Sequence, residues 1–248
     1  MHEAPTAEFT GHVVIVAGGA GEAGGCVVDS LLRAGATVVV PSRSPSRLDA
    51  LRGRVPVDAP GRLYTAVGDL SDRSSRHEIR GRVRSEVGPV DAVVASLGGW
   101  WEGEPLVDVP LHRWNQILTD NLTSHFLTAR TFLPDLVGRP NPVYVMLAGI
   151  AALDAIPGSG PISVTGAAQT MLLRTLAAEY AATSVRFHEL AILTPIATAA
   201  NDAIPETERW ISRAELGAAV TAVLGPSFPD RDRLLLRVPA GWKAAPDR

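Results

Sequence analysis

Lysine is almost missing from this 248-residue chain: Lys243 is the only one, and the other 22 of its 23 basic residues are arginines. Tyrosine is nearly as scarce, at Tyr64, Tyr144 and Tyr180, and Gly68, Ala148 and Ser184 stand four positions on from them. Chemistry that depends on a Tyr-x-x-x-Lys pair is therefore excluded before any fold is considered. The single cysteine, Cys26, excludes an intramolecular disulfide and a cysteine-based zinc site. No His/Asp/Glu spacing suggests a metal. With 23 basic and 26 acidic residues the formal charge is −3, and without a basic cluster there is no footprint for nucleic acid. No run approaches the roughly 18 uninterrupted apolar residues of a membrane helix. The acidic opening Met1–Thr10 lacks the apolar stretch of a secretion signal. These absences lead us to expect a soluble, cytoplasmic protein with neither a membrane nor a nucleic acid as partner.

What is present is an ordinary globular composition, 46% hydrophobic and 20% charged, without a compositional break. One domain over 1–248 with short flexible tails is expected. Short β-branched runs alternate with helical patterns. His12–Ala17, Thr37–Val40, Leu63–Val67, Val90–Ala95, Val143–Leu147, Val185–Ile192 and Arg233–Val238 read as strands. Helices are expected over Gly24–Ala34, Pro45–Arg54, Ser71–Val87, Leu111–Val137, Ile162–Ala182 and Ser212–Leu224. Continuous apolar strands alternating with helices imply an α/β fold. It is a Rossmann-like, doubly wound parallel sheet of about seven strands with helices on both faces. Ligand then sits at the strands' carboxyl ends.

The first strand runs into Ala17-Gly18-Gly19-Ala20-Gly21-Glu22-Ala23-Gly24, and a helix follows. Glycines allow a tight turn and close backbone approach, and the helix N-terminus offers free N–H groups to a pyrophosphate. With this turn, the order of elements resembles the short-chain dehydrogenase/reductase superfamily from about Gly11 to Gly241. Gly18, Gly21 and Gly24 fit the Thr-Gly-x-x-Gly-x-x-Gly spacing of its extended and atypical members, with Ala17 in place of the threonine. In the ordinary Thr-Gly-x-x-x-Gly-x-Gly register, Glu22 would replace a glycine. The resemblance implies a cofactor site built from Gly18, Gly21, Glu22, Ala23 and Gly24, with Asp69-Leu70 at the adenine. Ser96-Leu97-Gly98-Gly99 stands in place of the family's Asn-Asn-Ala-Gly. After the second strand, Ser42-Arg43 offers no carboxylate for ribose hydroxyls, whereas Arg43 can hold a 2′-phosphate. NADP(H) is expected over NAD.

In that family a tyrosine protonates the alkoxide, a lysine lowers its pKa, a serine orients the carbonyl and an asparagine completes a proton relay. Asn121 matches the asparagine. The serine, tyrosine and lysine positions fall on Gly149, Ile162 and Gly166, which should leave an enlarged, unreactive pocket. Alternative acids are Asp154, in the loop after the fifth strand, and His125, one helical turn beyond Asn121. Ser163 and Thr165 are poor acids without a partner. Glu102 follows Trp100-Trp101 in a loop expected to line the pocket with Gly18–Gly24 and Thr194–Pro205. His188 and Glu189 are neighbours on a strand and point to opposite faces. The expectation is an NADP(H)-binding oxidoreductase of this type with a non-standard active site. A non-redox isomerase, cyclase or dehydratase, or a silent dinucleotide-binding protein, remains open beside it. A small-molecule substrate is implied, and a homodimer or homotetramer assembling through the helices Leu111–Val137 and Ile162–Ala182.

Overall fold

The computed structural model describes residues 8–198, 204, 209–229 and 234–243. The tails, and part of the Thr194–Pro205 stretch, lie outside the described residues. Seven parallel strands form the main sheet: β1 (Val13–Ala17), β2 (Thr37–Ser42), β3 (Arg62–Val67), β4 (Ala92–Ala95), β5 (Val143–Gly149), β6 (Arg186–Ile192) and, last in the chain, β9 (Leu235–Val238). Their order across the sheet is β3-β2-β1-β4-β5-β6-β9, so the winding direction reverses between β1 and β4. A crevice opens at the carboxyl ends of strands flanking such a reversal. A separate parallel pair, β7 (Ile196–Ala197) with β8 (Ile211–Ser212), leads into the last helix.

Both sheet faces are buried, which is why the strands are apolar without alternation. Val14 and Val16 pack with Val27, Val28, Leu31 and Leu32 of α1 (Glu22–Arg33) and with Leu216 and Val220 of α7 (Arg213–Leu224). Val13 and Ile15 face the other way, into a core shared with Phe132, Leu133 and Leu136 of α5 (Ser124–Leu136) and Leu173 of α6 (Gly160–Glu179). The ends of the smaller helices follow local chemistry. Ser44 caps α2 (Pro45–Arg52) by accepting the Arg47 N–H, with Pro45 in the first turn. Asp72 caps α3 (Arg73–Arg82). Ser212 and Glu215 form a reciprocal capping box on α7.

The helix expected over Leu111–Val137 is present and runs unbroken to Leu136, with a π-helical turn at Leu118–Thr123 between its α-helical parts, α4 (Leu111–Ile117) and α5. Asn121 lies in that turn. A π-turn widens the ladder locally, and such turns concentrate at functional or formerly functional sites.

Candidate active site

The glycine turn has the shape that the spacing implied. Gly18 has φ +83°, and a Cβ there would lie 1.9 Å from the Ser96 carbonyl oxygen, so the turn presses against the end of β4. A Cβ on Gly24 would lie 2.3 Å from the Gly18 carbonyl oxygen. Exposed Gly21 precedes α1 without a side-chain cap, so no side chain covers the helix's first N–H groups. This cradle fits the pyrophosphate of a dinucleotide: backbone N–H groups and the helix dipole supply the attraction. Glu22 opens α1 but turns away from the cradle, with Oε2 3.1 Å from Arg213 Nη1 and Oε1 3.9 Å from Arg54 Nη1. Ala23 behind it is half-buried against the core.

At the end of β2, Arg43 is exposed and reaches across the crevice to Asp120, Nη2 to Oδ1 3.4 Å. Ser42 Oγ accepts the Ser44 N–H and shapes this corner. Asp69 follows β3. Burial raises its pKa, but the Ser71 N–H it accepts and the nearby Arg43 outweigh this and hold it below the usual carboxylate value. Leu70 accepts a hydrogen bond from Arg76 at its carbonyl and packs on the core. Gly98, φ +97°, lies so close to Asn121 that a Cβ would sit 2.7 Å from its Oδ1.

Of the three positions that the resemblance assigns to the catalytic corner, Ile162 and Gly166 are packed against neighbouring segments and Gly149 is open. Ile162 is buried in a small apolar cluster with Ile117 and Ala151, covered by Trp101 and Ile156. Gly166 packs against a 3-10 turn, Ile150–Ala152; a Cβ there would lie 2.8 Å from Ala152 Cα. Gly149 alone faces open space, with no other heavy atom within 4 Å of a Cβ built on it. Asn121 is fully engaged: Oδ1 accepts the Gly99 N–H and Nδ2 donates to the Gly99 carbonyl, both at 3.1 Å. Its main-chain carbonyl accepts a hydrogen bond from Gln169 Nε2 of α6. None of the tyrosines is at this corner: Tyr64 lies in β3, Tyr144 is buried within β5, and Tyr180 ends α6.

No side chain of the alternative acids lies within 4 Å of a Cβ built on Gly149. His125 is buried, its Nε2 3.2 Å from the Leu97 carbonyl oxygen, and desolvation lowers its pKa to about 4 despite that hydrogen bond. Asp154 is exposed on the loop after β5. Glu102 is exposed, beside the contact in which Gly103 N–H donates to the Gly158 carbonyl. Ser163 Oγ accepts the Ile156 N–H, and Thr165 Oγ1 donates to the Pro161 carbonyl. His188 and Glu189 do point apart: His188 stacks edge-on against Phe228, while Glu189 accepts a hydrogen bond from Thr170 of α6. Two participants escaped the sequence reading. Asp120 and Gln169 carry no motif signal, and only the π-turn and the packing of α6 reveal what they touch. Among the described residues no three His, Cys, Asp or Glu side chains could hold a metal, and no helix is long and apolar enough to cross a membrane.

The sheet order, the reversal point and the glycine cradle together define an α/β fold of the dinucleotide-binding type. Residues 12–209 match the short chain dehydrogenase family, and the chain belongs to that family. It is a family of oxidoreductases that use nicotinamide dinucleotides. The 1-deoxy-11-beta-hydroxypentalenate dehydrogenase of Streptomyces exfoliatus is 31% identical over 176 residues, covering 69% of this chain and 63% of that protein. The chain's matches span 58%, 61% and 63% of the length of three such relatives. Among solved structures, the chain is similar to an NADPH-bound short chain oxidoreductase from Pseudomonas aeruginosa PAO1 described as containing an atypical catalytic center. There the TM-score is 0.81 at 22% identity, over 95% of this chain and 98% of that one. L-sorbose reductase from Gluconobacter frateurii, solved with NADPH and L-sorbose, gives a TM-score of 0.81 at 18% identity over 94% and 97%. At these identities the likeness is one of fold.

Proposed function

We propose that the protein binds NADP(H) in the crevice between the glycine turn and Arg43, and that its own side chains supply no acid for ordinary carbonyl reduction. The observation that carries this reading is the packing at that corner: Ile162 among Ile117, Ala151 and Trp101, with Gly166 set against Ala152. A positioned general acid is typically worth about 10²–10⁴-fold in rate. Neither an isoleucine nor a glycine donates a proton, and buried His125 stays neutral near pH 7 with its Nε2–H committed to Leu97. A reduced nicotinamide supplies hydride when bound. The chain's own part is to cradle the pyrophosphate at Gly18–Gly24 and to offer Arg43 to a 2′-phosphate. Any proton then comes from water or from the substrate at Gly149. Trp100 and Trp101 suit a small-molecule substrate with apolar surface. Phe126 on α5 and Val164 and Met171 on α6 are exposed, which supports self-association through these helices. The protein is read as cytoplasmic.

The catalytically silent reading is favoured by the same corner, and binding separates it from a protein that has lost the cofactor too. NADPH and NADH titrated against the tryptophan fluorescence should give micromolar binding of NADPH and binding of NADH weaker by at least about tenfold. That ratio reflects one charge-assisted phosphate contact, of order 1.5–3 kcal/mol. Equal affinities would remove Arg43 from the account, and binding of neither would remove the cofactor.

A further inference from the structure

We propose that the groove between α1, the segment after α2 and the start of α7 is a second anion site, taking a phosphate monoester with a short apolar body. The groove holds about 330 Å³, at the small end of the range for ligand sites. Its apolar floor is offered by half-buried Val55 and Pro56 after α2, lying over buried Val28 and Leu32 of α1 and Leu51 of α2. Its rim carries three guanidinium groups, Arg33, Arg54 and Arg213; Asp29 pairs with Arg33 at 3.6 Å and Glu22 with the other two, all as exposed ion pairs. A phosphate with a hydrocarbon tail matches that division between rim and floor, and guanidinium forks suit phosphate oxygens better than any other side chain does.

Glu22 already shows how an anion is received there. One of its oxygens lies 3.1 Å from Arg213 and the other 3.9 Å from Arg54, so a single carboxylate bridges two arginines from different elements. Its side chain is 64% exposed, and an exposed ion pair of this kind is worth only about 0–1 kcal/mol. Glu22 can therefore yield its place to an incoming phosphate. Gly25 keeps the approach clear: a Cβ there would lie 3.8 Å from Arg213 Nη2, so no side chain separates that guanidinium from the groove. Gly25, Val28, Asp29 and Leu32 share one face of α1, behind the first turn that fits the pyrophosphate. The two sites are thus distinct.

The test is calorimetric titration of the full chain with hexyl phosphate and, separately, inorganic phosphate. Hexyl phosphate should bind at one site, at least about threefold tighter than inorganic phosphate because of the apolar floor. Arg54→Gln and Arg213→Gln should each weaken it by about fivefold or more, and Glu22→Gln should tighten it. Arg43→Ala, in the dinucleotide crevice, should leave it unchanged, whether or not that crevice binds NADP(H). The proposal is overturned if hexyl phosphate does not bind. It is equally overturned if the two phosphates bind alike, if either arginine variant binds as the parent does, or if Arg43→Ala abolishes binding.

Discussion

Gln169, from the middle of α6, donates its side-chain N–H to the main-chain carbonyl of Asn121 in the π-turn between α4 and α5. Both residues are buried. The Asn121 side chain is held by Gly99 at both its oxygen and its nitrogen. Replacing Gln169 by leucine keeps the volume and removes the donor. The buried carbonyl is then left unpaired, which should cost about 1–3 kcal/mol of stability in urea unfolding with an unchanged m-value.

Gly149 and Gly166 should answer differently to the same kind of substitution. Gly149→Ser enters open space at the end of β5, and its stability should stay within about 0.5 kcal/mol of the parent. Gly166→Ala places a Cβ 2.8 Å from Ala152 Cα and 3.0 Å from its backbone nitrogen, so α6 or the 3-10 turn must shift. An overpacking cost of about 1–3 kcal/mol is expected, read as a lowered midpoint in thermal unfolding. A long side chain is therefore harder to accommodate at position 166 than a serine at 149.

Much of this architecture was legible in the chain itself. β-branched runs such as Thr37–Val40 and the apolar spacing of Val27, Val28, Leu31 and Leu32 mark strand and helix because burial on both sheet faces demands them. The glycine turn was legible for a similar reason, since Gly18 and Gly24 approach backbone too closely for any Cβ. The packing at Ile162 and Gly166 was not. The resemblance suggested empty space there, whereas Trp101, Ile156 and the turn at Ile150–Ala152 pack against these residues, contacts that no motif or periodicity marks. The π-turn at Leu118–Thr123 was equally hidden, because helical apolar spacing continues on either side of it.

Two buried groups should make stability depend on pH in opposite directions. His125 has a folded-state pKa of about 4, below its ordinary 6.5, because burial disfavours the imidazolium. The unfolded chain therefore binds the proton first, and stability should fall as pH drops from about 6.5 towards 4, by of order 3 kcal/mol. His125→Gln should flatten that limb. For Glu189, burial raises the pKa against the opposing Thr170 hydrogen bond and the Arg174 charge. A carboxyl raised in this way favours folding at low pH and loses that contribution as pH rises above its ordinary 4.5. Glu189→Gln should raise stability at pH 7 and change it little at pH 4.

Arg43 is shared between its present partner and the phosphate proposed for it. Its contact with Asp120 is long and exposed, so it is weak and screened by salt. Asp120→Asn should tighten NADPH by a few-fold, within about 1 kcal/mol, and leave NADH nearly unchanged. The difference should shrink at high salt. An Asp120→Asn protein that favours NADH over NADPH would place Arg43 outside the 2′-phosphate site.

The central claim is a dinucleotide crevice beside a corner with no side-chain acid, and NADPH oxidation tests it most directly. The unmodified protein, saturated with NADPH, is mixed with a panel of simple ketones and aldehydes, and absorbance is followed across pH 5–9. The account predicts bound NADPH and no oxidation above the protein-free rate at any pH, because no acid quenches the alkoxide. Brisk oxidation would contradict it, most sharply if Asp154→Asn abolished the activity and so identified a side-chain donor.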